Sequence, residues 1–205
     1  LRVLTIASRR VRALPTKKTA RFFFPMSVKH PLATAWTFYY EPDTRPRASS
    51  KHWLDSLTKL PSVASVEDFW ALWSVLPRPS LLHDSSVYLF RSDRAPCWEC
   101  WPEGGKWIIT GTELDVDAAW ESLCLAMLGE QLKESDDVCG GVCNAGRLAM
   151  WTRSASSEQQ STLLGELLSL TPEDTLTFKL HAASKGVCKA TATTGLSVAG
   201  AAGSS

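Results

Sequence analysis

Two tryptophans stand outside every periodic run in this chain. Trp53 follows a Pro- and Ser-rich stretch in Lys51-His52-Trp53, and Trp98 sits in Pro96-Cys97-Trp98-Glu99. A single loop indole is most simply a plug over the core. Two of them, one followed by a carboxylate, support another chemistry. A pair of indoles can sandwich a planar ring, while Glu99 accepts hydrogen bonds from two donors on the ring's edge. An N–H and an NH₂ side by side are the edge of guanine. Methylation at N7 makes that base cationic and adds a cation–π term to stacking on indole. The tryptophan content fits such a use: nine Trp residues against three Tyr.

Other constellations carry less. Cys97-x₂-Cys100 and Cys139-x₃-Cys143 have spacings that a four-thiolate zinc site tolerates, but free thiols are the simpler expectation. His30, His52, His83 and His181 are scattered, and no Ser/His/Asp order stands out. Neither a GxxxxGK[ST] phosphate loop nor a GxGxxG motif occurs. Asp136-Asp137 reads as capping or solvated charge. No catalytic apparatus is expected, and no cofactor.

Composition bounds the class. The 205 residues are 44% hydrophobic and 21% charged, enough for one domain with a real core. No apolar run approaches the length of a membrane-spanning helix. The net charge of +1 is an average. Residues 1–25 hold seven basic side chains and no acidic one, leaving residues 26–205 net acidic by six charges. That arm is expected to be disordered, transit-like, or upstream sequence outside the natural protein. With no convincing secretory signal, a reduced cytoplasmic setting is expected, with the nucleus as a second compartment.

The elements that must position these groups follow from periodicity and punctuation. Strands are expected over 34–40, 56–60, 86–90, 106–110, 138–143, 148–153 and 175–181. Ser65 is expected to cap a helix whose apolar positions are Val66, Phe69, Trp70, Trp73 and Leu76, ended by Pro77 and Pro79. Thr112 is expected to cap a second helix running to about Leu128, with Gly129 just past its end. A third spans 157–170, and Asn144-Ala145-Gly146 is a tight turn. The arrangement predicts an α+β domain over 26–182, an antiparallel sheet with helices on one face, and a mobile tail over 183–205.

At the level of whole motifs the chain resembles the mRNA cap-binding translation initiation factor 4E family. The resemblance rests on His30-Pro31-Leu32 followed by Trp36, and on Val66-Glu67-Asp68-Phe69-Trp70-Ala71-Leu72. Trp98-Glu99, Gly104-Gly105-Lys106-Trp107, Asp136-Asp137-Val138-Cys139-Gly140 and Met150-Trp151-Thr152 follow in order, so that residues 28–182 are covered. It implies a curved antiparallel sheet of about eight strands, three helices on its convex face and a cap slot on its concave face. It implies that Trp53 and Trp98 sandwich 7-methylguanine, that Glu99 holds the base edge, and that Trp151 meets the N7-methyl group. Lys106 and Arg147 match basic positions for the phosphate chain. The loop before Arg147 is shortened, and the family's principal basic pair there has no counterpart. Recognition of the base is therefore expected to persist, with the triphosphate adding less. Trp36, Trp107 and Trp120 match structural positions; Trp73 and Trp101 match none, and packing or loop shape is expected of them.

The resemblance also implies a groove at His30, Pro31, Val66, Trp70, Leu125 and Leu128. Its occupant would be a Tyr-x₄-Leu-hydrophobic helix of a scaffold initiation factor or repressor. Glu121 stands where an apolar residue is usual. The implied role is delivery of capped mRNA to translation initiation. The alternative is a divergent paralogue that represses or stores mRNA through weak scaffold binding. No metal, enzymatic activity or membrane partner is implied.

Overall fold

The structure, a computed structural model, describes residues 28–42, 57–155 and 158–181. The expectations that concern residues 1–25, Trp53 and the 183–205 tail lie outside these. Seven strands are seen: β1 (Pro31–Glu41), β2 (Thr58–Ser65), β3 (Ser86–Arg91), β4 (Gly105–Thr110), β5 (Val138–Asn144), β6 (Arg147–Thr152) and β7 (Thr175–Leu180). They form one sheet, ordered β2-β1-β3-β5-β6-β4-β7, with every neighbouring pair antiparallel. Three helices, α1 (Val66–Trp73), α2 (Val116–Leu128) and α3 (Glu158–Leu167), complete the fold. The expected α+β class and the curved sheet with three helices are present, with seven described strands rather than about eight.

Strand alternation divides the apolar side chains between two faces. On β3, Val87 and Leu89 join the main core while Tyr88 and Phe90 join a second, smaller cluster. On β6, Leu148 and Met150 go to the first and Ala149 and Trp151 to the second. The main core also takes Phe69 of α1, Trp120, Leu123 and Met127 of α2, and Leu164 of α3, so all three helices cover one face. Trp36 and Trp107 are buried there with Trp120, in the structural role expected of them.

Several local expectations need correction. Residues 61–65, left out of the expected second strand, extend β2 directly into α1. Ser65 then caps α1, its hydroxyl accepting from the Asp68 N–H at 3.1 Å. The apolar stripe of α1 splits: Phe69, Leu72, Trp73 and Leu76 pack on the core, while Val66 and Trp70 face outward. The cap of α2 is Asp115, not Thr112. Its Oδ1 accepts from the N–H groups of Asp117 and Ala118, both at 3.1 Å. A carboxylate at that position also answers the positive end of the helix. At the other end Gly129 has an ordinary negative φ of −83°, and the left-handed residue is Glu130 at φ 52°. The Gln131 N–H reaches back to the Ala126 carbonyl and that of Glu130 to Met127, the double closure that ends helices with a left-handed residue.

The Glu130 side chain meets a buried charge. Arg91 is 2% exposed and donates to Val138 O at 3.0 Å, Ser135 O at 2.9 Å, Thr34 Oγ1 at 2.6 Å and Glu130 Oε1 at 3.2 Å. Its guanidinium lies 4.9 Å from the centre of the Trp36 ring. A desolvated guanidinium is tolerated only with this degree of hydrogen bonding. The network ties β1, β3, β5 and the end of α2 together. The β5–β6 turn is as expected: Ala145 and Gly146 both have positive φ, 44° and 78°, the backbone of a two-residue hairpin loop.

Candidate functional site

The face of the sheet that carries no α-helix among the described residues gathers an aromatic cluster. Tyr88 and Phe90 of β3, Cys139 of β5 and Ala149 and Trp151 of β6 are buried there, with Trp98 and Trp101 packed against them. Trp151 meets Phe90 edge-on at 5.4 Å and lies 4.9 Å from the ring of His181, measured between centroids. Glycine permits this close packing: a Cβ on Gly140 would lie 2.4 Å from the Leu89 carbonyl oxygen and 2.5 Å from the Phe90 ring.

Trp98 opens a short turn, Trp98–Cys100, between β3 and β4. The Trp101 N–H closes that turn on the Trp98 carbonyl at 3.2 Å. Arg94 anchors the loop. It donates to Asp136 O at 2.8 Å and Val138 O at 2.9 Å, and its guanidinium lies 6.0 Å from the centre of the Trp101 ring. Trp101, for which only packing or loop shape was expected, therefore forms part of this face. Glu99 occupies the middle of the turn, next to Trp98 in the chain.

The same face carries cations. Lys106 of β4 lies directly across from Trp151 of β6, with its ammonium 5.8 Å from the centre of the indole. On its other side it faces Lys179 of β7. Burial lowers the pKa of Lys106, and the charges of Lys179 and Arg147 lower it further. Alternation places Arg147 on the same side of β6 as Ala149 and Trp151. His181, fully buried beside Trp151, is pushed down to about 4, first by burial and then by the charge of Lys106. It is neutral at physiological pH. The ring nitrogens Trp101 Nε1, Trp151 Nε1 and His181 Nε2 are buried and without a hydrogen-bond partner among the described residues. Taken together, the face offers indoles for stacking and cations for an anionic group, over buried ring nitrogens without partners among the described residues.

The residues expected to act together fall into two groups. Trp98, Trp151, Lys106 and Arg147 share the helix-free face. His30, Pro31, Val66, Trp70 and Leu125 are exposed at the helix-covered side, with Val66, Trp70 and Leu125 about 40% accessible. Leu128 differs from its expected place in a surface groove: it is 5% exposed and belongs to the main core. At the edge of this region, Glu67 receives the His30 N–H at 2.9 Å and meets its ring at 2.6 Å, and Lys29 pairs with Asp68 at 2.6 Å. These contacts hold the approach to β1 against the start of α1. The zinc spacing does not come together. Cys139 lies in the aromatic cluster and Cys143 in the main core, on opposite faces of the sheet. Burial pushes the two thiols up, to about 11 and about 12. They are poor nucleophiles.

Lys179 and His181 are the members of the site that sequence reasoning passed over. Alternation over 175–181 places them on one side of β7, but only the β4–β7 register brings them to Lys106 and Trp151.

Comparison with known proteins decides the family. The family model "Eukaryotic initiation factor 4E" matches residues 31–194. The chain belongs to the eukaryotic initiation factor 4E family. It is 38% identical over 168 residues to eukaryotic translation initiation factor 4E of Candida glabrata, a match covering 75% of this chain and 79% of that protein. Among solved structures it resembles C. elegans eIF4E-3 in complex with the 4E-binding protein Mextli and cap analog. There the identity is 29% and the TM-score 0.68, over 79% of this chain and 98% of the other. It also resembles a schistosome eIF4E complexed with m7GpppG and 4E-BP, at 25% identity and TM-score 0.69, over 82% and 98% of the two chains. Initiation factor 4E proteins are not enzymes.

Proposed function

We propose that this protein binds the 7-methylguanosine 5′ cap of mRNA and brings it to the translation initiation machinery through a scaffold protein. The observation that carries the reading is the helix-free face, where indoles and cations converge beside Trp98-Glu99. In this reading Trp53 and Trp98 sandwich the methylated base, Glu99 accepts from its edge and Trp151 meets the methyl group. Lys106 and Arg147 take the phosphates. The relatives found with cap analogues and 4E-binding proteins support it. A partner helix of the Tyr-x₄-Leu-hydrophobic kind would dock on His30, Pro31, Val66, Trp70 and Leu125, with Leu128 beneath. An indole 41% exposed on a helix is an expected binding anchor. The protein acts in the cytoplasm, with the nucleus as a second compartment.

Retention on a 7-methyl-GTP matrix, with quenching of tryptophan fluorescence, tests the slot. Binding should be lost in Trp98→Ala and Glu99→Ala. Undiminished retention of either variant would refute the assignment.

A repressor or storage role is favoured by one feature. Glu121 lies one helical turn before Leu125 on α2 and lines a cleft of about 460 Å³ with Trp73, Leu76 and Trp120. A carboxylate there selects against a purely apolar partner surface. Weak scaffold-peptide binding that Glu121→Leu strengthens would support this role; strong binding by the unmodified protein would exclude it.

A further inference from the structure

Lys106 and Lys179 stand directly opposite one another on β4 and β7, on the same side of the sheet as Trp151. Like charges in a directly opposed cross-strand pair destabilise a sheet. Lys106 is also half-buried, which adds a desolvation cost to its charge. Neither ammonium has a carboxylate within ion-pair distance among the described residues. By contrast Arg91 reaches Glu130, Arg153 reaches Asp137, and Lys29 reaches Asp68. An unneutralised pair on neighbouring strands, with Lys106 half-buried and Lys179 exposed on the edge strand β7, is a local conflict of the sort that marks a binding site.

We infer that Lys179 and Lys106 form a clamp across β4 and β7 that grips the phosphate chain of the cap. The inference rests on the cap-binding reading above and adds Lys179 to it. The position is suited to the task. The pair lies beside Trp151, and Arg147 on β6 continues the row of positive charge. The two-residue β5–β6 turn is too short to bring cations of its own over this face. A lysine on β7 supplies one from the opposite side. Lysine suits a phosphate chain, because a compact ammonium can follow it without fixed geometry.

The test compares 7-methyl-GMP, 7-methyl-GTP and GMP by tryptophan quenching, for the unmodified protein, Lys179→Gln, Lys179→Arg and Lys133→Gln. Lys133→Gln removes the same charge at an exposed position in the loop after α2. For Lys179→Gln we expect 7-methyl-GMP affinity to change by less than about twofold while 7-methyl-GTP affinity falls about three- to tenfold. Lys179→Arg should restore most of that loss, and Lys133→Gln should show none. The melting temperature of ligand-free Lys179→Gln should equal or exceed that of the unmodified protein, because repulsion is relieved. An unchanged 7-methyl-GTP to 7-methyl-GMP ratio in Lys179→Gln would overturn the clamp alone. So would equal losses for both nucleotides with a lowered melting temperature, which would make Lys179 structural. No preference for 7-methyl-GMP over GMP in the unmodified protein would overturn the clamp and the cap-binding reading together.

Discussion

The two faces of the sheet use the same seven strands for opposite purposes. The helix-covered face buries Trp36, Phe38, Trp107 and Trp120 among aliphatic side chains, and its buried cation Arg91 makes four hydrogen bonds. The helix-free face holds a smaller aromatic cluster, a lysine facing a lysine, and three of the four buried ring nitrogens that lack partners among the described residues. Polar conflict is thus concentrated on one side. The larger core lies on the helix-covered face, where Trp36 Nε1 is the one such ring nitrogen among the described residues, and most of the unpartnered ring nitrogens lie on the other.

Four substitutions can break that division. The largest effect is expected from Trp120→Ala on the helix-covered face. Loss of a fully buried indole should cost about 3–5 kcal/mol of stability, read as a lower denaturant midpoint. A stability loss below about 1 kcal/mol would mean that this face does not carry the fold. Next is Trp70→Ala, at the outer surface of the same helices. It should weaken a scaffold peptide by about 2 kcal/mol or more in a titration, with cap retention intact. Loss of both would make Trp70 a core residue. Trp98→Ala should then lower cap affinity by about 1–3 kcal/mol with little change in melting temperature. An equally large loss of stability would erase the contrast between the faces.

The smallest effect sharpens the picture by pH. The folded-state pKa of His181 is depressed to about 4, below an ordinary value of 6.5. The neutral form is therefore favoured by folding. That stability is present above pH 6.5 and is lost as pH falls from 6.5 towards 4. Thermal melts should show a decline of about 1 kcal/mol between pH 7.5 and 5.5 that is absent in His181→Gln. A decline of the same size in the variant would assign the acid sensitivity to other groups.

Short-range signals were read from the chain directly. Ser65 before Val66-Glu67-Asp68 is a cap, and Asn144-Ala145-Gly146 is a turn, because both are settled by neighbours within four residues. The alternation of β3 and β6 follows in the same way, and so does the family resemblance through its ordered motifs. Even local signals failed where two candidates competed: Asp115 displaced Thr112 as cap, being the charged acceptor next to the first turn. Periodicity alone did not say which side of α1 faces the core, since Trp70 and Trp73 both continue an apolar period, whereas the resemblance put Trp70 on the surface, where the structure has it.

Residue type and spacing alone thus determined the class of element, the alternation of β3 and β6, and the ordered motifs that carry the family. The tertiary structure decided which groups share a face. Lys106 and Lys179 are distant in the chain, as are Trp151 and His181. No periodicity within one strand encodes the register of another, so their meeting depends on the β4–β6 and β4–β7 ladders.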